Sequence, residues 1–292
     1  MFQRLGIIGG SGLGQALSRL LVSGGTATEV MTPFGAPSGP IIVGEMDGVP
    51  VALLARHGPG HRHNPSSVPY RANIHALKQL GVTHVMATAA AGSLQEDINP
   101  RELVICDQLI DRTHKREGTF YDDLAVHLEF AAPFCPTVRK VLLASSAGLG
   151  IKVHPKGTLV CMEGPAFSTR AECDLHRSWG AQLIGMTSCP EAKLAREAEL
   201  CYALVGLPTD YDCWKPHPEN VGAQELGALI LGNLHAATES ALSLARVAVK
   251  AIAVAGQAPC GCQTTLKNAV WTDPKQLPEA VKVKLKLLLP NL

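Results

Sequence analysis

HVMATAAAGS, residues 84–93, begins as a buried strand and finishes as something else. Residues 84–88 read as a short apolar strand, and 89–93 end it in alanine, glycine and serine. Small side chains at such an end let a flat or anionic ligand approach the backbone. They equally let a helix pack on the sheet, and this stretch alone does not choose. The same event recurs along the chain. Residues 5–8 run into Gly9-Gly10-Ser11-Gly12, 51–54 into Arg56-His57-Gly58, 183–186 into Thr187-Ser188, and 202–207 into Pro208-Thr209-Asp210-Tyr211-Asp212. Helical patterns over 73–80, 136–147, 171–179 and 191–199 separate these runs, and further strands read at 103–106 and 158–162. Alternation of this kind specifies an α/β fold. Residues 41–43 and 51–54 flank a turn at Met46-Asp47-Gly48 and read as a hairpin, so the sheet is expected to be mixed. Ligands of α/β sheets bind beyond the carboxyl ends of strands, which makes these five ends the candidate walls of one site.

With 292 residues, 46% apolar, 17% charged and 4% aromatic, the composition is that of a folded globular chain. A formal charge of +1 supplies no field to recruit nucleic acid or a membrane surface. The longest apolar stretch, 226–255, carries Glu239, Arg246 and Lys250, and reads as a buried amphipathic helix pair rather than a span. The chain opens directly into a strand, without a basic-then-apolar leader, and a cytoplasmic location is expected. Nine cysteines, mostly single and within apolar segments, read as reduced core residues. Character changes only after Gly256, where Pro259, Pro274, Pro278 and Pro290 punctuate the sequence. Residues 1–256 are read as the catalytic domain and 257–292 as a tail packing on it.

Each strand end has a functional and a bland reading. The Gly9–Gly12 loop can hold an anion with backbone N–H groups and the Ser11 hydroxyl, or can be a plain tight turn. A dinucleotide fingerprint fails on spacing, since Gln15 stands where its last glycine belongs, although Glu29 lies near the expected acid position. Arg56 offers a planar fork of donors suited to phosphate, and His57 beside it can donate to the same oxyanion; taken alone, the pair reads rather as a surface arginine and a core histidine. His57, His61 and His63 have the spacing of metal ligands, but Gly58-Pro59-Gly60 breaks any shared helical face and no cysteine or acid completes a set. Thr187 can hold phosphate and the Met186 thioether can lie against a ring or a sugar, while Ser188 with Glu191 reads as a capping box. Asp210 and Asp212 have strand period and so are expected on one face. Behind an apolar run they either ligate something, with one able to protonate a ring nitrogen, or sit solvated in a loop.

The ordered set resembles the trimeric nucleoside phosphorylase family, in its 5'-methylthioadenosine phosphorylase branch. The resemblance rests on GIIGGSGL from residue 6, TPFGAPS from 32, LLARHG from 53, VPYRANIHALK from 68, AAAGSL from 89, DQLIDRT from 107, EGPAFSTRAE from 163, GMTSCPEAKLAREAELCYA from 185 and TDYDCW from 209. It implies a mixed, barrel-like β-sheet surrounded by α-helices, and phosphorolysis of S-methyl-5'-thioadenosine to adenine and 5-methylthioribose-1-phosphate. The alternative within the family is a purine nucleoside phosphorylase preferring adenosine, inosine or methylthioinosine. No cofactor or metal is implied; inorganic phosphate is a co-substrate. The matching positions assign phosphate to Ser11, Arg56, His57, Ala90 and Thr187. They assign nucleoside to Ala91, Gly92, Phe167, Met186, Asp210 and Asp212, and acid catalysis to the two aspartates. His127 matches a position that reaches a neighbour's 5' pocket, so a homotrimer is implied. Two positions depart from the pattern: Ser11 and Ala89 stand where the family often has threonine. The Cys260-Gly261-Cys262 pair, found near the C-terminus of some relatives, is expected as two free thiols, because a disulfide across one residue is strained. The tail segment Lys282-Val283-Lys284-Leu285-Lys286 and its following leucines are expected to dock as a helix near the active site.

Overall fold

Eleven strands, among the described residues, form one mixed sheet. The structure is a computed structural model and describes residues 1–21, 24–216 and 222–290, without the side chains of Gln15 and Ala223. In chain order the strands are β1 (Leu5–Gly9), β2 (Thr26–Thr28), β3 (Ile41–Met46), β4 (Val49–Ala55), β5 (His84–Ser93), β6 (Leu103–Ile105), β7 (Gln108–Arg112), β8 (Val153–His154), β9 (Thr158–Met162), β10 (Leu183–Gly185) and β11 (Cys201–Asp210). The helices are α1 (Leu13–Ala16), α2 (Tyr70–Gln79), α3 (Pro136–Ser146), α4 (Arg170–Ser178), α5 (Ser188–Glu197), α6 (Ala223–Ala255) and α7 (Glu279–Leu285). The opening stretch is strand along its whole length, through the alanines to Ser93.

β5 is the hub. It pairs in parallel with β1 over His84–Ala87, antiparallel with β10 at Gly92 and Ser93, and in parallel with β11 from His84 to Gly92. A strand that changes partner halfway along curls the sheet, and this gives the barrel-like form. β1 continues outward through parallel β4 and the β3–β4 hairpin, whose turn is Asp47-Gly48. β10 continues through parallel β9 and β7, and β11 through antiparallel β6. The carboxyl ends of β1, β4, β5 and β11 therefore lie side by side.

Both faces of the sheet are buried, which explains apolar runs with little alternation. On one face, Ile8, Leu54 and Ala87 pack with Ile74 and Leu77 of α2 and Leu194 of α5. On the other, Leu5, Ile7, Leu53 and Val205 pack with Val138 and Leu142 of α3 and Ala241, Leu244, Ala248 and Ile252 of α6. Each such leucine or isoleucine contributes about 1.5–3 kcal/mol. The expected helix pair over 226–255 is instead one helix of 33 residues. No proline interrupts it, and Gly227 and Gly232 sit in open space where they break nothing. Nor is it buried throughout: Leu229 and Leu231 near its start are exposed. None of the helices among the described residues is long and apolar enough to cross a membrane. In the tail, Leu285, Leu288 and Leu289 enter the first core face, and Trp271 bonds the carbonyl of Ala125.

The chain leaves β4 through Arg56 and His57 and turns at Gly58, where φ is 73°. A Cβ there would sit 2.4 Å from the Ser38 carbonyl oxygen, a backbone atom that cannot move aside. Left-handed strain and collision act together in Gly58→Ala, which is expected to lose about 2 kcal/mol or more. A lower urea midpoint with unchanged slope would record it.

Candidate active site

Five strand ends converge on a cavity of ≈ 490 Å³. Ser11, His57, Ala90, Ala91, Gly92, Phe167, Met186, Thr187, Asp210 and Asp212 all line it. These are ten of the residues named from sequence, and they come from positions 11 to 212. Arg56 and His127 do not line it. His127 is exposed on the surface, its ring edge-on to Trp271 with centroids 4.8 Å apart.

Arg56, next in sequence to the lining His57, is fully buried. Its Nε and Nη2 donate to the two carboxylate oxygens of Glu191 at 2.6 and 2.7 Å, and Nη1 donates to the Thr88 carbonyl at 2.7 Å. The Tyr202 hydroxyl donates to the same carboxylate at 2.7 Å. Burial alone would lower the guanidinium's pKa, but Glu191's charge and hydrogen bonds raise it. The pair fastens β4 to α5, β5 and β11 directly under the glycine loop. Gly10 is required there, because a Cβ would come 2.7 Å from Arg56 Nη1 and 2.9 Å from the Thr88 oxygen. The capping box expected of Ser188 and Glu191 does not form. Glu191 is turned to Arg56, Cys189 has non-helical φ and ψ, and the buried Ser188 hydroxyl has no partner. A buried guanidinium needs a counter-charge more than a helix needs a cap. The capping box that does form is Thr169 with Glu172, on α4.

His57 is a neutral imidazole. Burial, and then the Arg56 charge, bring its pKa down to about 4. Its Nδ1 lies 2.8 Å from the His63 carbonyl and, in the neutral ring, donates to it. Nε2 is therefore an acceptor, not the second donor expected beside Arg56. The ring stacks on His61 at 4.1 Å, so His57, His61 and His63 do not converge on a metal.

β11 ends at Asp210, and the chain turns instead of continuing, with Asp212 at φ 48°. The two acids share the cavity through this turn and not through strand alternation. Asp210 Oδ1 accepts the Thr209 hydroxyl at 2.7 Å, and Oδ2 accepts the Asp212 amide at 3.1 Å. Asp212 Oδ2 is buried without a hydrogen bond. The turn is pinned by Trp214 Nε1 on the Ser93 carbonyl, 2.8 Å, and by Arg177 over the Trp214 ring.

Other positioning groups escaped sequence reasoning. Arg116 donates to the carbonyls of Met186, Cys189 and Glu163 at 2.6–2.7 Å, so one buried fork sets the Met186–Thr187 segment against the loop that carries Phe167. Burial would push Glu163 up, but the Ser66 hydroxyl, the His114 and Lys115 amides and the Arg116 charge bring it down to about 2. Ile230 and Leu234 of α6 add an apolar wall. Their i, i+4 spacing was visible but marks core as readily as site.

A family model described as "Phosphorylase superfamily" matches residues 4–251. An S-methyl-5'-thioadenosine phosphorylase of Synechocystis is 47% identical over 98% of this chain and 86% of its own length. One from Danio rerio is 50% identical over 75% and 79%. A solved methylthioadenosine phosphorylase from an antarctic soil metagenomic library superposes with a TM-score of 0.89 at 44% identity, over 98% of both chains. One from Schistosoma mansoni, in complex with tubercidin, gives 0.79 at 33% identity over 98% of both.

Glu191→Gln keeps the shape but leaves Arg56 charged and unpaired, and is expected to lose about 3–5 kcal/mol in urea unfolding. The His57 shift adds a pH dependence. Its folded pKa lies below the ordinary 6.5, so the unfolded chain takes up a proton that the folded one refuses until about 4. The His57 contribution to stability is present above pH 6.5 and lost as pH falls toward 4. Melting temperatures measured between pH 7 and 4.5 should fall less steeply in His57→Gln.

Proposed function

The chain belongs to the phosphorylase superfamily, among its S-methyl-5'-thioadenosine phosphorylases, and from this and the cavity we propose its reaction in residue terms. The substrate is S-methyl-5'-thioadenosine, and the products are adenine and 5-methylthioribose-1-phosphate. The single observation that carries the reading is one cavity holding anion donors and two acids at opposite ends of the sequence, Ser11 to Asp212. Inorganic phosphate is the co-substrate. Ser11, the Ala90 backbone and Thr187 bind it, and Arg56 supplies positive charge from behind Gly10. Hydrogen phosphate carries one P–O–H, and the acceptor Nε2 of His57 suits that proton. Met186 lies against the ribose, and Ala91, Gly92 and Phe167 flank the purine.

A phosphate oxygen attacks C1' as the C1'–N9 bond breaks and its electrons pass into the purine. Asp210 conducts a proton to N7, which removes the build-up of negative charge on the leaving group. The proton count closes, since the hydrogen of hydrogen phosphate ends on adenine. Bound phosphate also stabilises the cation-like sugar carbon and is already placed to attack it. Asp212 orients Asp210 through its backbone N–H. A carboxylate accepts the 6-amino N–H of adenine but repels the oxygen of a 6-oxopurine. The apolar side chains of Met162, Met186, Ile230 and Leu234 suit a 5'-methylthio group. We further propose a cytoplasmic homotrimer in which the exposed His127 and Trp271 meet a neighbour's cavity mouth, where Phe167 is 83% exposed.

Adenine release from methylthioadenosine, with and without phosphate and beside adenosine and inosine, tests this reading. Release should require phosphate and be fastest with methylthioadenosine; phosphate-independent release would make the chain a hydrolase. Asp210→Asn should lower kcat by about 10²–10⁴-fold. A near-normal rate would remove the acid role.

A further inference from the structure

Away from the cavity, the four cysteines Cys135, Cys201, Cys260 and Cys262 bring their sulfurs within 4.8 Å of one another. We propose that they form a tetrahedral thiolate site for a zinc ion that staples the tail to the body of the domain. Three separate segments supply the ligands. Cys135 is the N-cap of α3, Cys201 opens β11, and Cys260 and Cys262 flank Gly261 at the start of the tail.

The geometry fits the ion. Zinc–thiolate bonds of about 2.3 Å place the sulfurs of a regular tetrahedron about 3.8 Å apart. Cys135 and Cys260 already stand 3.6 Å apart, and no pair needs to close by more than about 1 Å. Four soft sulfurs and no oxygen or imidazole form a donor set that selects zinc over the hard cations. The surroundings suit thiolate charge. Cys135 stands at the N-terminus of α3, where the helix dipole favours negative charge, and the Thr137 hydroxyl lies 4.0 Å from Cys260 Sγ. Cys201 and Cys262 are buried while Cys260 is partly exposed, which gives the ion an entry side. Disulfides fit less well. All four sulfurs lie in one group within 4.8 Å, and a bridge within Cys260-Gly261-Cys262 would be strained. All nine cysteines are free thiols in the structure. The ion would fix the root of a tail whose later residues bond Ala125 and His127.

The test uses the whole chain, purified under reducing conditions and loaded with zinc(II). Elemental analysis should find one zinc per chain. In Cys260→Ser/Cys262→Ser it should fall to background, and in Cys106→Ser, a buried cysteine outside the cluster, it should persist. Cobalt(II) added to the stripped wild-type chain should give thiolate-to-cobalt charge-transfer absorption and the intense bands of a tetrahedral sulfur site. This spectrum probes the native fold even where a variant fails to fold. Zinc below stoichiometry after loading, or cobalt bands of octahedral weakness, would overturn the proposal. So would an intact mass lacking two hydrogens per bond under non-reducing conditions, which would show disulfides among these sulfurs.

Discussion

The Arg56–Glu191 ion pair is the constraint on which the rest of the structure depends. Desolvating two ions costs several kcal/mol each, and only close geometry offsets it. Here both carboxylate oxygens are engaged, a tyrosine hydroxyl adds a further donor, and a backbone carbonyl takes a third face of the fork. Lysine could not do this, because an ammonium has no planar fork to span a carboxylate and a carbonyl at once. The pair decides where α5 sits, how β4 leaves the sheet and why the loop after β1 must open with a glycine, Gly10. The buried positive charge behind Gly10 follows from the same packing.

Much of this was legible. Apolar runs that end in small or polar residues marked the strand ends, and nine residues at them share one cavity with Phe167, which the family resemblance named. The losses have physical reasons. β7, QLIDR, carries polar side chains at a half-exposed position and has no apolar run to announce it. Ser188 and Glu191 obeyed a local capping rule, but a charge distant in sequence outcompeted it. Asp212 was placed by strand period, which lapses where a bulge and a turn take over. His57 looked like a donor until its own backbone neighbour claimed the proton. In each case local sequence supplied the residue and long-range contact supplied its job.

The acids behind the last strand illustrate that division. An apolar strand from Cys201 buries its length and delivers Asp210 to the cavity, where Thr209 and the Asp212 amide hold its oxygens. Asn233 of α6 donates to the Thr209 carbonyl, and Arg101 donates to Asn233. The cavity end of β11 is therefore fixed from the sheet, the long helix and the Trp214 turn together.

β5 has a consequence for how the chain is made. Its longest partner, β11, follows more than a hundred residues later. At about 5–20 residues per second, a nascent chain waits on the order of ten seconds with that edge unmatched. The edge is alanine-rich and apolar, the kind of surface that recruits other strands. Vectorial synthesis thus leaves the core of the sheet unfinished until its C-terminal third has emerged, and early folding there depends on holding factors or on the brevity of that wait.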